Sequence, residues 1–372
     1  MPQNFLDIDP SNIIHNYQVL CKAAGVPVMA VLKANGYGLG GLYLANLLRE
    51  QGCQNFAVSR LEEAEELRDG GVGERILLLT PTLVPEEARR IVSLGITASV
   101  GSLDAGRVLS KAATEADTET LFHLKLDTGF GRYGFLPEQL DEAMAVAQLP
   151  GMMLEGAYSH LATAFCTSAN FTMQQKARFD QMTAALKNAG MLPLILHLAS
   201  SCGALRYPSL AYDMIRAGTA LTGFLPIQNK WGLRPATRLV SFLTDVRTLP
   251  KGHNVGYSQL YKTRKVTRIG VVSAGTYDGF SLINKPVIRS FRDVLRSLKN
   301  NSVAVMRRQG LTGYWEGHAL PVLGRVSATS LVVDLGEHPC RPGDEISFMV
   351  NPILVRDTLP RSQRREERGQ NM

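Results

Sequence analysis

What this sequence lacks narrows it first. No apolar run reaches the length that spans a bilayer, and the opening "MPQNFLDIDPSN" has neither the basic start nor the apolar stretch of a secretory signal. The reading therefore expects a cytoplasmic chain with no membrane partner. The five cysteines, Cys21, Cys53, Cys166, Cys202 and Cys340, are odd in number and lack metal-like spacing, which argues for free thiols and against a disulfide framework or a bound metal. No G-x-G-x-x-G follows the first apolar run, so a doubly wound dinucleotide fold loses its main support. Acid is scarce between Phe280 and Arg308, where Asp293 stands against Lys285, Arg289, Arg292, Arg296, Lys299, Arg307 and Arg308. That segment contributes much of the formal charge of +7, yet without a recognisable nucleic-acid module it reads as a basic surface, and no nucleic-acid partner is expected.

What is present is a soluble-type composition, 45% hydrophobic and 20% charged, in 372 residues, enough for one large core and a second, smaller domain. Up to about residue 230, short apolar runs alternate with helical patterns. The runs are Val28 to Leu32, Phe56 to Ser59, Ile76 to Leu79, Ile96 to Val100, Leu121 to Leu126, Met153 to Ser159, Leu194 to Ala199 and Met214 to Ala217. Between them lie "GLYLANLLREQG", "RLEEAEELRDGG", "PEEARRIVSLG" and "TMQQKARFDQMTAALKNAG", with helical spacing and terminal glycines. Eight strands alternating with helices predict an α/β chain with an N-terminal TIM-type (β/α)8 barrel over residues 1–232. After Leu233, Val-, Thr- and Ile-rich runs separated by Gly and Pro turns predict a mostly-β domain over 233–356, with the basic stretch 280–308 as an insertion that carries a helix in "SFRDVLRSLKN". Residues 357–372 read as a polar, basic, disordered tail.

In such a barrel the C-terminal ends of the strands form the active face. The residues there are Lys33, Ser59, Thr80, Lys125 with Asp127, His160, Ser200 with Ser201, and Arg216. Each has a plain structural reading: Lys33 as a solvated strand end, Lys125 paired with Asp127, His160 in the core, Arg216 paired with Asp213. Their common face favours chemistry. An amine partly desolvated among positive neighbours keeps more of its neutral, nucleophilic form, which suits Lys33 to an aldehyde. The Tyr37 hydroxyl in "NGYG" and the backbone of Gly218 and Thr219 in "RAGTALTG" are able to hold a phosphate. A lysine for an aldehyde, a phosphate cradle and an arginine for a ring nitrogen together describe a pyridoxal phosphate site.

At this point the residues resemble the alanine racemase family. The likeness runs from "FLDIDPSNIIHNYQVL" to about Leu335, through "AVLKANGYG", "FAVSRLEEAEELR", "HLKLDTGFGRYGF", "LEGAYSHLATA", "HLASSCGALRYP", "DMIRAGTALTGF", "LPKGHNVGYSQLY" and "VLGRVS". The resemblance implies that Lys33 carries pyridoxal phosphate covalently and is one catalytic base. It implies that Tyr257 is the opposite base, brought by the second subunit of a homodimer. Arg216 is implied as the partner of the pyridine nitrogen, which its permanent charge leaves unprotonated. His160 is implied against the cofactor ring. Arg132 is implied at the cofactor's phenolic oxygen and the substrate carboxylate, and Lys125 as a carbamylated lysine that orients Arg132. Tyr37, Ser201, Gly218 and Thr219 are implied as the phosphate cradle.

The chain departs from the family's pattern at named places. Ala328 and Thr329 replace Met-Asp in the segment that offers a backbone N–H to the substrate carboxylate, and Thr276 stands where the family has tyrosine. Ser200 replaces asparagine, "NPILVRDTLPR" reads as a shortened closing strand with no helix after it, and Asp357 falls near a phosphate-binding tyrosine. The resulting expectation is an alanine racemase that serves D-alanine biosynthesis with a small amino-acid substrate. The open alternatives are a racemase for serine or another larger or more polar amino acid, because the departures would widen the entrance, and a non-catalytic pyridoxal phosphate-binding paralogue.

Overall fold

The computed structural model describes residues 3–191, 195–282 and 311–363. The chain divides into two compact units, Ile13–Arg234 and a second that joins Met1–Asn12 to Pro235–Met372. After a first strand, β1 (Phe5–Ile8), the chain lays down β2 (Val28–Val31), β3 (Asn55–Val58), β4 (Arg75–Leu78), β5 (Thr97–Val100), β6 (Thr120–Lys125), β7 (Met152–Tyr158), β8 (Ile195–His197) and β9 (Ile215–Ala217). These eight pair in parallel in the order β8, β7, β6, β5, β4, β3, β2, β9. Ser200 bridges Arg216, and the Arg216 N–H donates to the Ala199 carbonyl at 3.0 Å, which brings β9 back to the end of β8 and nearly closes the barrel.

The strands form where side chains on both faces leave water, as parallel strands covered by helices must. Every residue of β2, β3 and β5 is buried, which is why β2 reads as an unbroken apolar run, while Asn55 in β3 and Thr97 and Ser99 in β5 are buried polar residues. The helical patterns become Gly41–Arg49, Leu61–Asp69, Pro85–Ser93 and Asn170–Asn188, packed outside the strands with their polar faces exposed. The helix Leu103–Glu115 starts where Ser102 Oγ accepts the Ala105 N–H at 3.2 Å.

The second unit is an eight-stranded, mostly antiparallel sheet of β10 (Thr237–Leu249), β11 (Thr267–Val272), β12 (Thr312–Trp315), β13 (His318–Leu323), β14 (Leu331–Asp334), β15 (Glu345–Met349) and β16 (Arg361–Gln363) together with β1. The 13-residue β10 is long enough to pair with β1, β15 and β11 along its length, so six strands close into a ring.

Two boundaries differ from expectation. The segment "FLDI" belongs with the second unit and not with the barrel, pairing antiparallel with β10 from Phe5↔Val240 to Ile8↔Thr237. The barrel's eight strands nearly close on one another, whereas β10 offers β1 a pairing edge. The tail is ordered at its start, since β16 pairs in parallel with β1, Leu6 opposite Arg361. "NPILVRD" forms a 3₁₀ turn at Pro352–Leu354, and the closing strand comes later than expected, at β16. The expected helix in "SFRDVLRSLKN", most of the basic insertion and residues 364–372 lie outside the described residues. No helix among the described residues is long and apolar enough to cross a membrane.

Candidate active site at the barrel rim

Lys33 follows β2 by one residue and opens a turn in which Ala34, Asn35, Gly36 and Tyr37 all have left-handed backbone, φ 54, 52, 61 and 55°. Left-handed backbone costs a non-glycine residue about 1–2 kcal/mol, so something must hold the turn. Glu63 does. Its Oε1 accepts the N–H of Ala34 at 2.6 Å and of Asn35 at 3.4 Å, and its Oε2 accepts those of Ser59 and Arg60 at 3.0 Å each. Asn35 Oδ1 adds a bond from the Gly41 N–H at 2.7 Å.

The turn delivers Tyr37 to the loop that follows β9. The Tyr37 side chain fills the space that a Cβ on Gly218 would need, and the Gly218 N–H donates to Ser201 Oγ at 3.1 Å. Ser201 begins the short helix Ser201–Arg206, and Thr219 begins the 3₁₀ turn Thr219–Thr222. Tyr37, Ser201, Gly218 and Thr219 thus converge at one point of the rim.

Arg216 lies on β9 and is buried. It does not pair with Asp213, whose carboxylate accepts the Leu196 N–H. Its Nη1 donates to His197 Nδ1 at 2.7 Å and to the His197 carbonyl at 3.0 Å, while its Nη2 donates to the Ser159 carbonyl at 2.6 Å and lies 3.4 Å from His160 Nδ1. Burial lowers its pKa to about 10, still a cation at neutral pH. His160 is neutral, because burial and then Arg216 push its pKa well below the usual histidine value. Gln175, absent from the sequence reading, fixes the backbone there by donating to the His160 carbonyl at 3.0 Å and accepting the Ala162 N–H at 2.8 Å. No short-range motif marks it, since it comes from a helix after the next loop.

Lys125 ends β6 and does not pair with Asp127 either. Asp127 caps its own loop, accepting the N–H groups of Gly129, Phe130 and Gly131 at 2.8, 2.8 and 2.9 Å, and so shapes the loop that carries Arg132. Lys125 Nζ sits 4.4 Å above the Tyr158 ring and, among the described residues, has no hydrogen-bond partner. Burial and then Arg216 push its pKa well below that of an ordinary lysine. Lys33 is lowered by burial and then by Arg132, against the pull of Glu63. The carboxylates that act on the two lysines, Glu63 and Asp127, are engaged by backbone N–H groups, so the rim is a cationic site suited to a ligand with more than one anionic group.

Residues 8–226 match the alanine racemase N-terminal domain and residues 236–359 the alanine racemase C-terminal domain. The chain belongs to the alanine racemase family. The alanine racemase of Desulfosudis oleivorans is 31% identical to it over 91% of this chain and 85% of that protein. That of a Nostoc species is 30% identical over 90% of this chain and 83% of that one. The crystal structure of alanine racemase from the D-cycloserine-producing Streptomyces lavendulae aligns with a TM-score of 0.82 at 28% identity, covering 98% of this chain and 97% of that one.

Within this alanine racemase fold the remaining expected residues lie in the second unit. Tyr257 is 66% exposed, on a turn with Gly256, Ser258 and Gln259 at φ 75, 60 and 50°. Ala328 and Thr276 stand side by side: the Ala328 carbonyl accepts the Tyr277 N–H at 2.9 Å, and the Ser327 carbonyl accepts that of Thr276 at 3.0 Å. Tyr277 follows Thr276, and the Arg356 guanidinium covers its ring at 4.9 Å. Asp357 pairs with Arg361 at 3.6 Å.

Proposed function

We propose that the protein interconverts L- and D-alanine with pyridoxal phosphate, by two-base proton exchange at the α-carbon. The observation that carries the reading is the adjacency of β2 and β9, with Met29 opposite Arg216, which sets a lysine of depressed pKa and a buried arginine on neighbouring strand ends. The residues present fit the cofactor. Gly218 leaves its Cβ space to Tyr37 beside Ser201, a cradle that any side chain there would fill. Lys33 would hold the aldehyde carbon, Arg216 and His160 the ring, and Tyr37, Ser201, Gly218 and Thr219 the phosphate. Bound there, pyridoxal phosphate supplies an electron sink that acidifies the substrate's α-C–H.

The protein's own groups do the rest. Lys33 Nζ, its pKa lowered by burial and by Arg132, takes and returns the proton on one side, and the Tyr257 hydroxyl of a second copy of the chain does so on the other. Arg216 keeps its proton and donates a hydrogen bond only, which restrains competing reactions. Arg132 binds the substrate carboxylate. Lys125 Nζ has no hydrogen-bond partner among the described residues, and burial pushes its pKa well down, which favours addition of carbon dioxide with loss of a proton to solvent and gives an anion able to orient Arg132.

The test is purification with pyridoxal phosphate, borohydride reduction and peptide mapping, together with D-alanine formation from L-alanine. A yellow protein labelled at Lys33 that makes D-alanine is expected. Failure to bind the cofactor, or faster turnover of serine or larger amino acids, overturns the reading.

A further inference from the structure

Below Arg216 a line of hydrogen bonds runs through the barrel interior to residues that the reaction does not use. Arg216 Nη1 meets His197 Nδ1 at 2.7 Å, His197 Nε2 meets His123 Nδ1 at 2.7 Å, and His123 Nε2 meets Glu155 Oε2 at 3.0 Å. Arg75 closes the line, its Nε 3.0 and 3.1 Å from the two Glu155 oxygens and its Nη1 2.5 Å from Asn55 Oδ1. Both histidines have no solvent exposure.

The direction of every bond is forced. A guanidinium only donates, so His197 Nδ1 accepts; a neutral His197 then carries its proton on Nε2 and donates to His123 Nδ1. His123 in turn carries its proton on Nε2 and donates to the carboxylate, which only accepts. Protonating either imidazole would set two donors face to face. Burial and then Arg216 push the His197 pKa well below its usual value, and burial also lowers His123. Glu155 would be raised by burial, but the bonds from His123 and Arg75 outweigh that and hold it at about 2.

The fold is built to place these groups. In the β6–β7 ladder Phe122 faces Leu154 but His123 faces Gly156, so Glu155 is the extra residue of a bulge, and such bulges re-aim side chains. Gly156 has no Cβ because one would strike the His123 ring and the Ile195 carbonyl. His197 lies flat on the Tyr158 ring, 4.8 Å between centroids and 3° between planes.

We propose that Glu155 and His123 are positioning residues for Arg216: they fix His197 as a single neutral tautomer whose Nδ1 receives the guanidinium and sets its plane. This rests on the role given to Arg216 under the proposed function. Glu155 anchors one end of a polarised chain whose other end presents Arg216 to the cofactor ring.

The experiment has an arm that needs no cofactor. Long-range ¹⁵N–¹H NMR of the imidazoles in the full-length wild type, without pyridoxal phosphate, should show His123 and His197 both neutral and protonated at Nε2 near pH 7. A cationic ring, or an Nδ1–H tautomer in either, overturns the chain. The second arm compares Glu155→Gln and His123→Gln, loaded with pyridoxal phosphate, with the wild type. The expected result is a loss of about tenfold in kcat with little change in KM and a shifted visible absorption band. Wild-type kcat and band in a folded Glu155→Gln overturn the proposal, and if that variant does not fold, His123→Gln decides. A wild type that binds no pyridoxal phosphate overturns the role of Arg216, and the NMR arm then reads the chain alone.

Discussion

One Glu63 oxygen accepts the Ala34 N–H at 2.6 Å, so the helix after β3 holds the turn that begins with Lys33. The other oxygen accepts the N–H groups of Ser59 and Arg60, the two residues that lead into that helix. One carboxylate thus joins two neighbouring strand ends, and the left-handed turn depends on it.

Glu63→Ala should leave four backbone N–H groups without this acceptor and cost about 1–3 kcal/mol. Thermal melting checks the stability, and the rate of borohydride labelling at Lys33 checks the turn. A Tm and labelling rate equal to the wild type would show that the turn holds itself.

Gly218→Ala should weaken pyridoxal phosphate binding by about tenfold or more, because the new methyl meets both the hydroxyl and the ring carbons of Tyr37. Adding Tyr37→Phe should not restore binding, since ring carbons remain in the way, whereas Tyr37→Ala should recover part of it. Equilibrium titration followed by absorbance reads all three, and rescue by Tyr37→Phe contradicts the packing.

Lys125 has a lower pKa folded than unfolded. The unfolded chain therefore binds more protons, the penalty is complete below the folded value, and it fades as pH rises towards the unfolded value of about 10.4. In buffer freed of carbon dioxide, Lys125→Met should melt above the wild type near neutral pH, with the gap closing at alkaline pH. Bicarbonate should raise the Tm of the wild type alone. Equal response of both proteins to bicarbonate rules out a carbamate on Lys125.

Tyr257→Phe should keep the borohydride-reducible cofactor on Lys33 while kcat falls by about 100-fold or more, as expected when one general base is lost. Solvent deuterium should enter one enantiomer of alanine much more slowly than the other. Wild-type turnover would remove Tyr257 from the reaction.

Much of the barrel was readable because its signal is local. Val28 to Leu32 and the other runs are mostly apolar where a parallel strand is covered on both faces, and polar residues follow at their ends. Lys33, Lys125, His160 and Arg216 were found that way. The family likeness added Arg132, a role for Lys125, and Tyr257, none of which follows from periodicity. The plain pairings Lys125 with Asp127 and Arg216 with Asp213 were both wrong, since sequence proximity does not choose a partner once backbone N–H groups compete for the same oxygens.

By itself the sequence determined the strand and helix pattern, because burial and periodicity act over a few residues, and its motifs identified the family. Only the tertiary structure decided that Phe5–Ile8 joins the second sheet, that Glu155 bulges inward to meet His123, and that Glu63 clamps the turn after β2. Those choices depend on which edges and donors remain unsatisfied after the barrel closes, and residues distant in the chain supply the partners.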